Sequence, residues 1–316
     1  MLEVLRHGCP ERVPDGLENL IPEISLDMVE WPESPGKDIW GVTWDMGLEE
    51  SGAYPVGHPL DSFDDLDSYP FPEDLPSAPY TRQGKELFAS PDRGDYLIMG
   101  RVGETLFERA WMMLGMEGFF AAIYENPDGL KRLIGRIAQI RSRMVDRHIE
   151  SGCDALMFAD DYGGQGNLLI NPDSWREFIA PHLAEMYAKC KAAGKLVFQH
   201  SCGHIEPILP DLVEMGLDVW HPCQPASNDL AKMKKLFGDK LIFYGAIDST
   251  ILAMGTPEQV RDEVRLRIRQ LAPGGGYIAG PSHGVPFSQA NIEAMHDQIR
   301  RSGNYGANGE LLMEKI

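Results

Sequence analysis

LVFQHSCGHIEPILPDLVEMGLDVWHP, residues 196–222, decides the fold. LVFQHS (196–201) is a short apolar run, 205–215 carry a helical period that stops at Gly216, and DVWHP (218–222) is a second short run. A strand, a helix closed by glycine and another strand make a β-α-β unit, which lays two parallel strands side by side through a right-handed crossover. The same alternation extends to both sides. Strands are expected at YLIMGRV (96–102), ALMFAD (155–160), LIFYGA (241–246) and GYIAGP (276–281), with helices over 127–151, 172–193, 226–237 and 256–272. Asn171-Pro172 and Thr256-Pro257 each place a capping side chain before a proline in the first turn, and Gly152 and Gly194 stand just past helix ends.

Two parallel architectures satisfy this pattern, an open doubly wound sheet and a closed barrel. No glycine-rich phosphate fingerprint follows a strand; PGGGYIAG (273–280) lies before and within one, the wrong place for a phosphate cradle. A polar or reactive residue does recur at the C-terminal ends of the strands: Asp160-Asp161, His200, His221, Asp248 and His283. In a (β/α)₈ barrel those ends share one mouth. The expected fold is therefore an α/β (β/α)₈ TIM barrel, residues 1–316 forming a single domain. Residues 91–316 carry the main βα repeats, and 1–90 form an N-terminal strand-bearing extension with the first strands.

Within the extension, DIWGVTWD (38–45) reads as a strand or hairpin with Trp40, Val42 and Trp44 on one face, and DSFDDLDSYPFPEDLPSAPY (61–80) as an acidic loop that wraps rather than packs. Met112, Met113, Met116, Phe119 and Phe120 read as core rather than as a cofactor wall.

The chain has 316 residues, 43% apolar and 24% charged, as a globular protein does. Its 29 Lys and Arg against 48 Asp and Glu give a net charge of −19, which repels phosphate backbones and anionic membranes and argues against nucleic-acid binding. No run is long and apolar enough to span a bilayer. The five cysteines are odd in number and widely spaced, and MLEVLRHGCPER has no apolar signal core, so a cytoplasmic, reducing location without a disulfide framework is expected. A homodimer is the default assembly.

Two motifs carry chemistry. In HSCGH (200–204), residues two apart at a strand end point the same way, so the His200 imidazole and the Cys202 thiolate can meet one metal ion. The third ligand comes from another strand end; His283 in GPSHGVP is the best placed, with Asp160, Asp161, Cys223 and His221 in reserve. A His/Cys/His set with an open position is a catalytic zinc. His204 reads as a residue of the helix start. In ADDYGGQ (159–165), only one of the adjacent Asp160 and Asp161 can face the barrel axis, and the other bonds backbone or caps a loop. The inward carboxylate and Tyr162 are candidate catalytic groups. Gln165, Trp44, Asp248 and His221 are candidate substrate contacts, although Asp248 is equally placed to cap the helix that follows it.

ADDYGGQ, QHSCGHIEPILPDLVEMGLDVWHPCQP, KLIFYGAIDSTILAMGTPEQVRDEVR and GGGYIAGPSHGVPFSQANIEAM, in this order and spacing, resemble the uroporphyrinogen decarboxylase superfamily, and LRHGCPERVP is similar to its opening. The resemblance implies a (β/α)₈ barrel and one of two branches: decarboxylases that need no metal, or cobalamin-linked methyltransferases that hold zinc in the barrel mouth. The decarboxylase branch carries an arginine-bearing segment of the kind RQAGR after its first strand, which the acidic N-terminal region here lacks. The methyltransferase branch uses His-x-Cys followed much later by Cys; His200 and Cys202 match, and His283 stands where the second Cys would be.

The resemblance thus implies an enzyme that moves a methyl group between a small methylated substrate, such as a methyl ether, and the cobalt of a corrinoid (cobalamin) carried on a separate corrinoid protein, in either direction. Zinc on His200, Cys202 and His283 would hold the heteroatom, with an ADDYGGQ carboxylate or Tyr162 hydrogen-bonding the substrate. The alternatives are a metal-independent decarboxylase and a non-catalytic tetrapyrrole-binding module.

Overall fold

The structure, a computed structural model, describes residues 2–5, 10–17, 21–28, 30, 32, 34–47, 53–93, 97–306 and 308–312. Cys9 and Tyr96 lie outside the described residues. In chain order the first elements are α1 (Leu2–Leu5), β1 (Glu23–Ile24), β2 (Gly36–Lys37), β3 (Thr43–Met46), β4 (Ala53–Gly57), α2 (Arg82–Ala89) and β5 (Met99–Glu104). The middle of the chain forms α3 (Phe107–Leu114), α4 (Met116–Glu125), α5 (Pro127–Glu150), β6 (Ala155–Ala159), α6 (Pro172–Phe178), α7 (Ala180–Ala192) and β7 (Leu196–His200). There follow α8 (Leu209–Met215), β8 (Val219–His221), α9 (Leu230–Phe237), β9 (Ile242–Ile247), α10 (Ser249–Met254), α11 (Pro257–Leu271), β10 (Tyr277–Pro281) and α12 (Gln289–Ser302).

One seven-stranded sheet runs in the order β1-β5-β6-β7-β8-β9-β10, and the pairs β1–β5, β5–β6, β7–β8, β8–β9 and β9–β10 are parallel. Pro14 and Gly16 exchange backbone hydrogen bonds with Ala279 of β10, which adds an eighth parallel position. With helices between successive strands this is the expected α/β fold of the TIM-barrel class. Strands buried on both faces read as unbroken apolar runs, and β6 is such a run, with Ala155, Leu156, Met157 and Phe158 all buried.

The chain divides into two compact units, one of Ile21–Asp161 with Ile170–Val197, the other of Met1–Leu20, Tyr162–Leu169 and Phe198–Ile316. In the first, β2, β3 and β4 form a small antiparallel sheet. Trp40, Val42 and Trp44 are buried together there, as their shared face predicts. The expectation that 61–80 merely wraps is corrected: Leu66, Phe71, Leu75 and Tyr80 are buried. Its acids explain how so polar a segment is held, because Asp67 pairs with Arg132 and Glu73 with both Arg136 and Arg143, all on α5.

The expected helix 172–193 is two helices, broken at Ile179. Pro181, in the first turn of α7, has no N–H to continue the ladder of α6, so the helix restarts there. The strand expected at 96–102 lies at 99–104, with a register shift between Arg101 and Gly103, whose φ of 85° suits glycine. Met112, Met113 and Phe119 are core, while Met116 is partly exposed.

In the second unit the caps follow sequence: Thr256 and Gln259 form a reciprocal capping box at α11, and Ser288 caps α12. Among the described residues no helix is long and apolar enough to cross a membrane. Among the described residues, Cys153, Cys190, Cys202 and Cys223 are not joined in disulfides.

Candidate metal centre

His200 ends β7 and His221 ends β8, and the parallel register sets them directly opposite each other. Their rings meet through Nδ1, 2.9 Å apart, and the other nitrogen of His200, Nε2, stands 3.6 Å from Cys202 Sγ. Zn–N near 2.05 Å and Zn–S near 2.3 Å, at a tetrahedral angle, require nitrogen and sulfur about 3.6 Å apart. His200 and Cys202 thus already stand at the spacing of two tetrahedral zinc ligands. Both are half-buried, as a site that must admit a reactant requires.

The turn carrying Cys202 is held from several sides. The Ser201 N–H donates to the His221 carbonyl, 2.9 Å. Gly203, at φ 77°, donates its N–H to Gln224 Oε1 (2.6 Å) and accepts from Asn228 Nδ2 (2.9 Å). Asn228 Oδ1 accepts the Ile205 N–H, and the His204 ring bonds the Ser227 carbonyl, so His204 belongs to the loop's framework. Gln224 and Asn228 went unread in the sequence; their only trace there is an amide side chain on each side of the Pro225 turn.

The two aspartates of ADDYGGQ divide as alternation predicts. Asp160 is fully buried, and its carboxylate accepts the backbone N–H groups of Leu106 (2.8 Å), Phe107 (3.1 Å) and Glu108 (2.9 Å). It caps α3 from the end of β6, its oxygens accepting N-terminal N–H groups that have no partner within the helix. Asp161 is half-buried, and its N–H donates to Glu108 Oε2, 3.1 Å. Burial, with the charges of Asp161 and Asp160 beside it, holds the Glu108 carboxyl well above the ordinary carboxylate range.

Tyr162 is fully buried, and its N–H donates to Ser201 Oγ, 3.0 Å. Gly163 lies against the main chain of Cys202 and Gly203, and Gly164 accepts the His204 N–H, so 162–164 and 201–204 pack as one piece. Gln165 is exposed at the tip of the loop closed by the Gly163–Leu168 bridge.

Three other expected residues have partners of their own. His283 is exposed, its N–H donating to Ser249 Oγ (2.7 Å) and its ring Nδ1 facing the Gly284 carbonyl. Among the described residues no set of three donor atoms within 4.8 Å of one another includes His283, so the expected trio is not assembled. Asp248 caps α10, accepting from Thr250 and Ile251, the second of its two sequence readings. Trp44 is buried, with its indole N–H on Asp38 Oδ2. Asp38 also holds Arg109 Nη1 at 2.7 Å, both side chains fully buried.

Parallel βα repeats bearing a His-x-Cys pair at a strand's C-terminal end define a TIM-barrel protein with a candidate metal centre. The chain belongs to the uroporphyrinogen decarboxylase family, whose model matches residues 37–302. It is 26% identical over 191 residues to a uroporphyrinogen decarboxylase of Chlorobium luteolum, a match covering 56% of this chain and 50% of that protein. The chain thus spans about half the length of that curated relative. Against the uroporphyrinogen decarboxylase of Chloroherpeton thalassium it is 24% identical over 303 residues, covering 89% and 79%. Its fold matches that of a methyltransferase from Methanosarcina mazei at a TM-score of 0.70 and 18% identity, covering 95% of this chain and 96% of the other.

Proposed function

We propose that this protein is a methyltransferase that moves a methyl group between a small methylated substrate and the corrinoid of a partner corrinoid protein, with zinc at His200 and Cys202. The observation that carries the reading is the 3.6 Å spacing of His200 Nε2 and Cys202 Sγ. The fold shared with a methyltransferase is consistent with it.

His200 and Cys202 would supply an imidazole and a thiolate, two of the three protein donors that a catalytic zinc site uses. Zinc bound there would supply Lewis-acid polarisation of the substrate's heteroatom. The chain's own residues do the rest: Gln224 and Asn228 fix the Cys202 turn, and the exposed Gln165 loop offers an amide to the substrate.

The alternative, a metal-independent decarboxylase in which Asp160 or Asp161 and His283 do the proton transfers, would fall to Asp161, because Asp160 is engaged in capping α3. The deciding experiment is elemental analysis of protein purified without chelator. Near-stoichiometric zinc is expected in the wild type and in His283→Ala, with loss in Cys202→Ala and His200→Ala. A metal-free wild type that also fails to take up added zinc overturns the reading.

A further inference from the structure

We propose that His221 is a positioning residue for the metal centre: by accepting a hydrogen bond at its Nδ1 it makes Nε2 the metal-binding nitrogen of His200. This rests on the zinc reading above and adds to it a residue that is not itself a ligand.

The argument starts from proton counting. A neutral imidazole carries one N–H, and the nitrogen that binds a metal gives up its lone pair, so a ligand bound through Nε2 must carry its proton on Nδ1. That proton needs an acceptor, and ligating histidines almost always have one, which fixes both tautomer and ring orientation. Here the acceptor position is filled by an imidazole. His200 Nδ1 and His221 Nδ1 are 2.9 Å apart, so one proton lies between them, and His200 Nε2 faces Cys202 Sγ. Only one arrangement satisfies both contacts with the metal bound: His200 donates from Nδ1, His221 accepts at Nδ1, and His221 keeps its own proton on Nε2.

The surroundings hold His221 where this requires. Strand register places it opposite His200, and its ring packs against Tyr244 with centroids 4.8 Å apart at 55°. Its carbonyl accepts the Ser201 N–H, so the residue that orients the His200 ring also pins the backbone between the two ligands. A shift of His221 would therefore disturb His200 and Cys202 together.

The test measures zinc affinity by chelator competition in the wild type, His221→Phe and His221→Gln, with thermal melts and the spectrum of each cobalt-substituted protein. Phenylalanine keeps the ring against Tyr244 and removes the acceptor; glutamine restores an acceptor through its amide oxygen. The proposal expects zinc affinity to fall about 10- to 100-fold in His221→Phe and to recover most of that loss in His221→Gln. It also expects the ligand-field bands of cobalt to shift in the Phe variant while the thiolate charge-transfer band persists. A purely structural role would instead lower the melting temperature in step with affinity and leave the cobalt bands unmoved. If His221→Phe binds zinc within a factor of two of a zinc-binding wild type, the positioning role is overturned and the metal centre stands. If the wild type takes up neither zinc nor cobalt, the metal reading falls and this assignment falls with it.

Discussion

Gly163 and Gly203 lie main chain against main chain: a Cβ on Gly163 would stand 2.6 Å from the Gly203 carbonyl carbon and 2.7 Å from the Cys202 carbonyl oxygen. Real Cβ atoms do not approach backbone so closely, so any side chain here must push the 162–164 segment off the Cys202 turn. Gly203 adds a second constraint through its φ of 77°. Gly163→Ala and Gly203→Ala are each expected to destabilise the protein by about 2 kcal/mol or more and to lower bound zinc. Urea denaturation beside metal analysis checks both, and an alanine variant of wild-type stability and zinc content contradicts the packing argument.

The adjacent aspartates should separate in experiment. Asp160→Ala removes the acceptor for three buried N–H groups of α3 and is expected to cost about 3 kcal/mol, since hydrogen bonds to a charged group are worth about 1.5–3 kcal/mol and the donors are left unpaired. Asp161→Asn is expected to change stability by less than about 1 kcal/mol. Melting curves on the two variants should therefore place Asp160→Ala well below Asp161→Asn, and equal losses would contradict the division of roles.

His148 makes stability depend on pH. Burial, reinforced by the nearby Arg147 charge, lowers its pKa to about 4, against an ordinary 6.5. The folded state keeps the ring neutral, between the Tyr80 hydroxyl (3.0 Å) and the Arg101 carbonyl (3.0 Å), while the unfolded chain takes up a proton below about pH 6.5. Its stabilising contribution is therefore complete above pH 6.5 and is lost as the pH falls towards 4, by about 3 kcal/mol. Urea midpoints from pH 7 to 4 should fall less steeply in His148→Gln than in the wild type; parallel slopes would contradict the assignment.

Arg109 and Asp38 form a buried pair that a single substitution leaves half made. Asp38 Oδ2 accepts both Arg109 Nη1 (2.7 Å) and Trp44 Nε1 (3.1 Å), and Oδ1 accepts the N–H groups of Trp40 and Val42 (2.9 Å each). Removing one partner of a buried pair costs about 3–5 kcal/mol. Arg109→Met is expected to lose that much and to open the sheet of β2, β3 and β4 to protease, whereas the exposed Arg82→Ala, which breaks only a surface pair with Glu86, should be within about 1 kcal/mol of wild type. Limited proteolysis with thermal denaturation compares the two.

What sequence alone determined about this protein was local. Buried parallel strands are apolar along their whole length, so the β runs and the helices between them could be read with boundaries shifted by a few residues. Caps were legible because Asn171, Thr256 and their prolines act within one turn, and the orientation of His200 with Cys202 follows from strand geometry two residues apart. Pro181 marks the break between α6 and α7 by the same kind of local rule.

Everything that depended on distant segments was settled only by tertiary structure. That Asp160 and not Asp161 caps α3, that His221 lies opposite His200, that His283 turns to Ser249, and that Arg109 reaches Asp38 are outcomes of strand register and of helices returning to the sheet. No local rule encodes them, because a one-residue change of register would send each side chain to other neighbours.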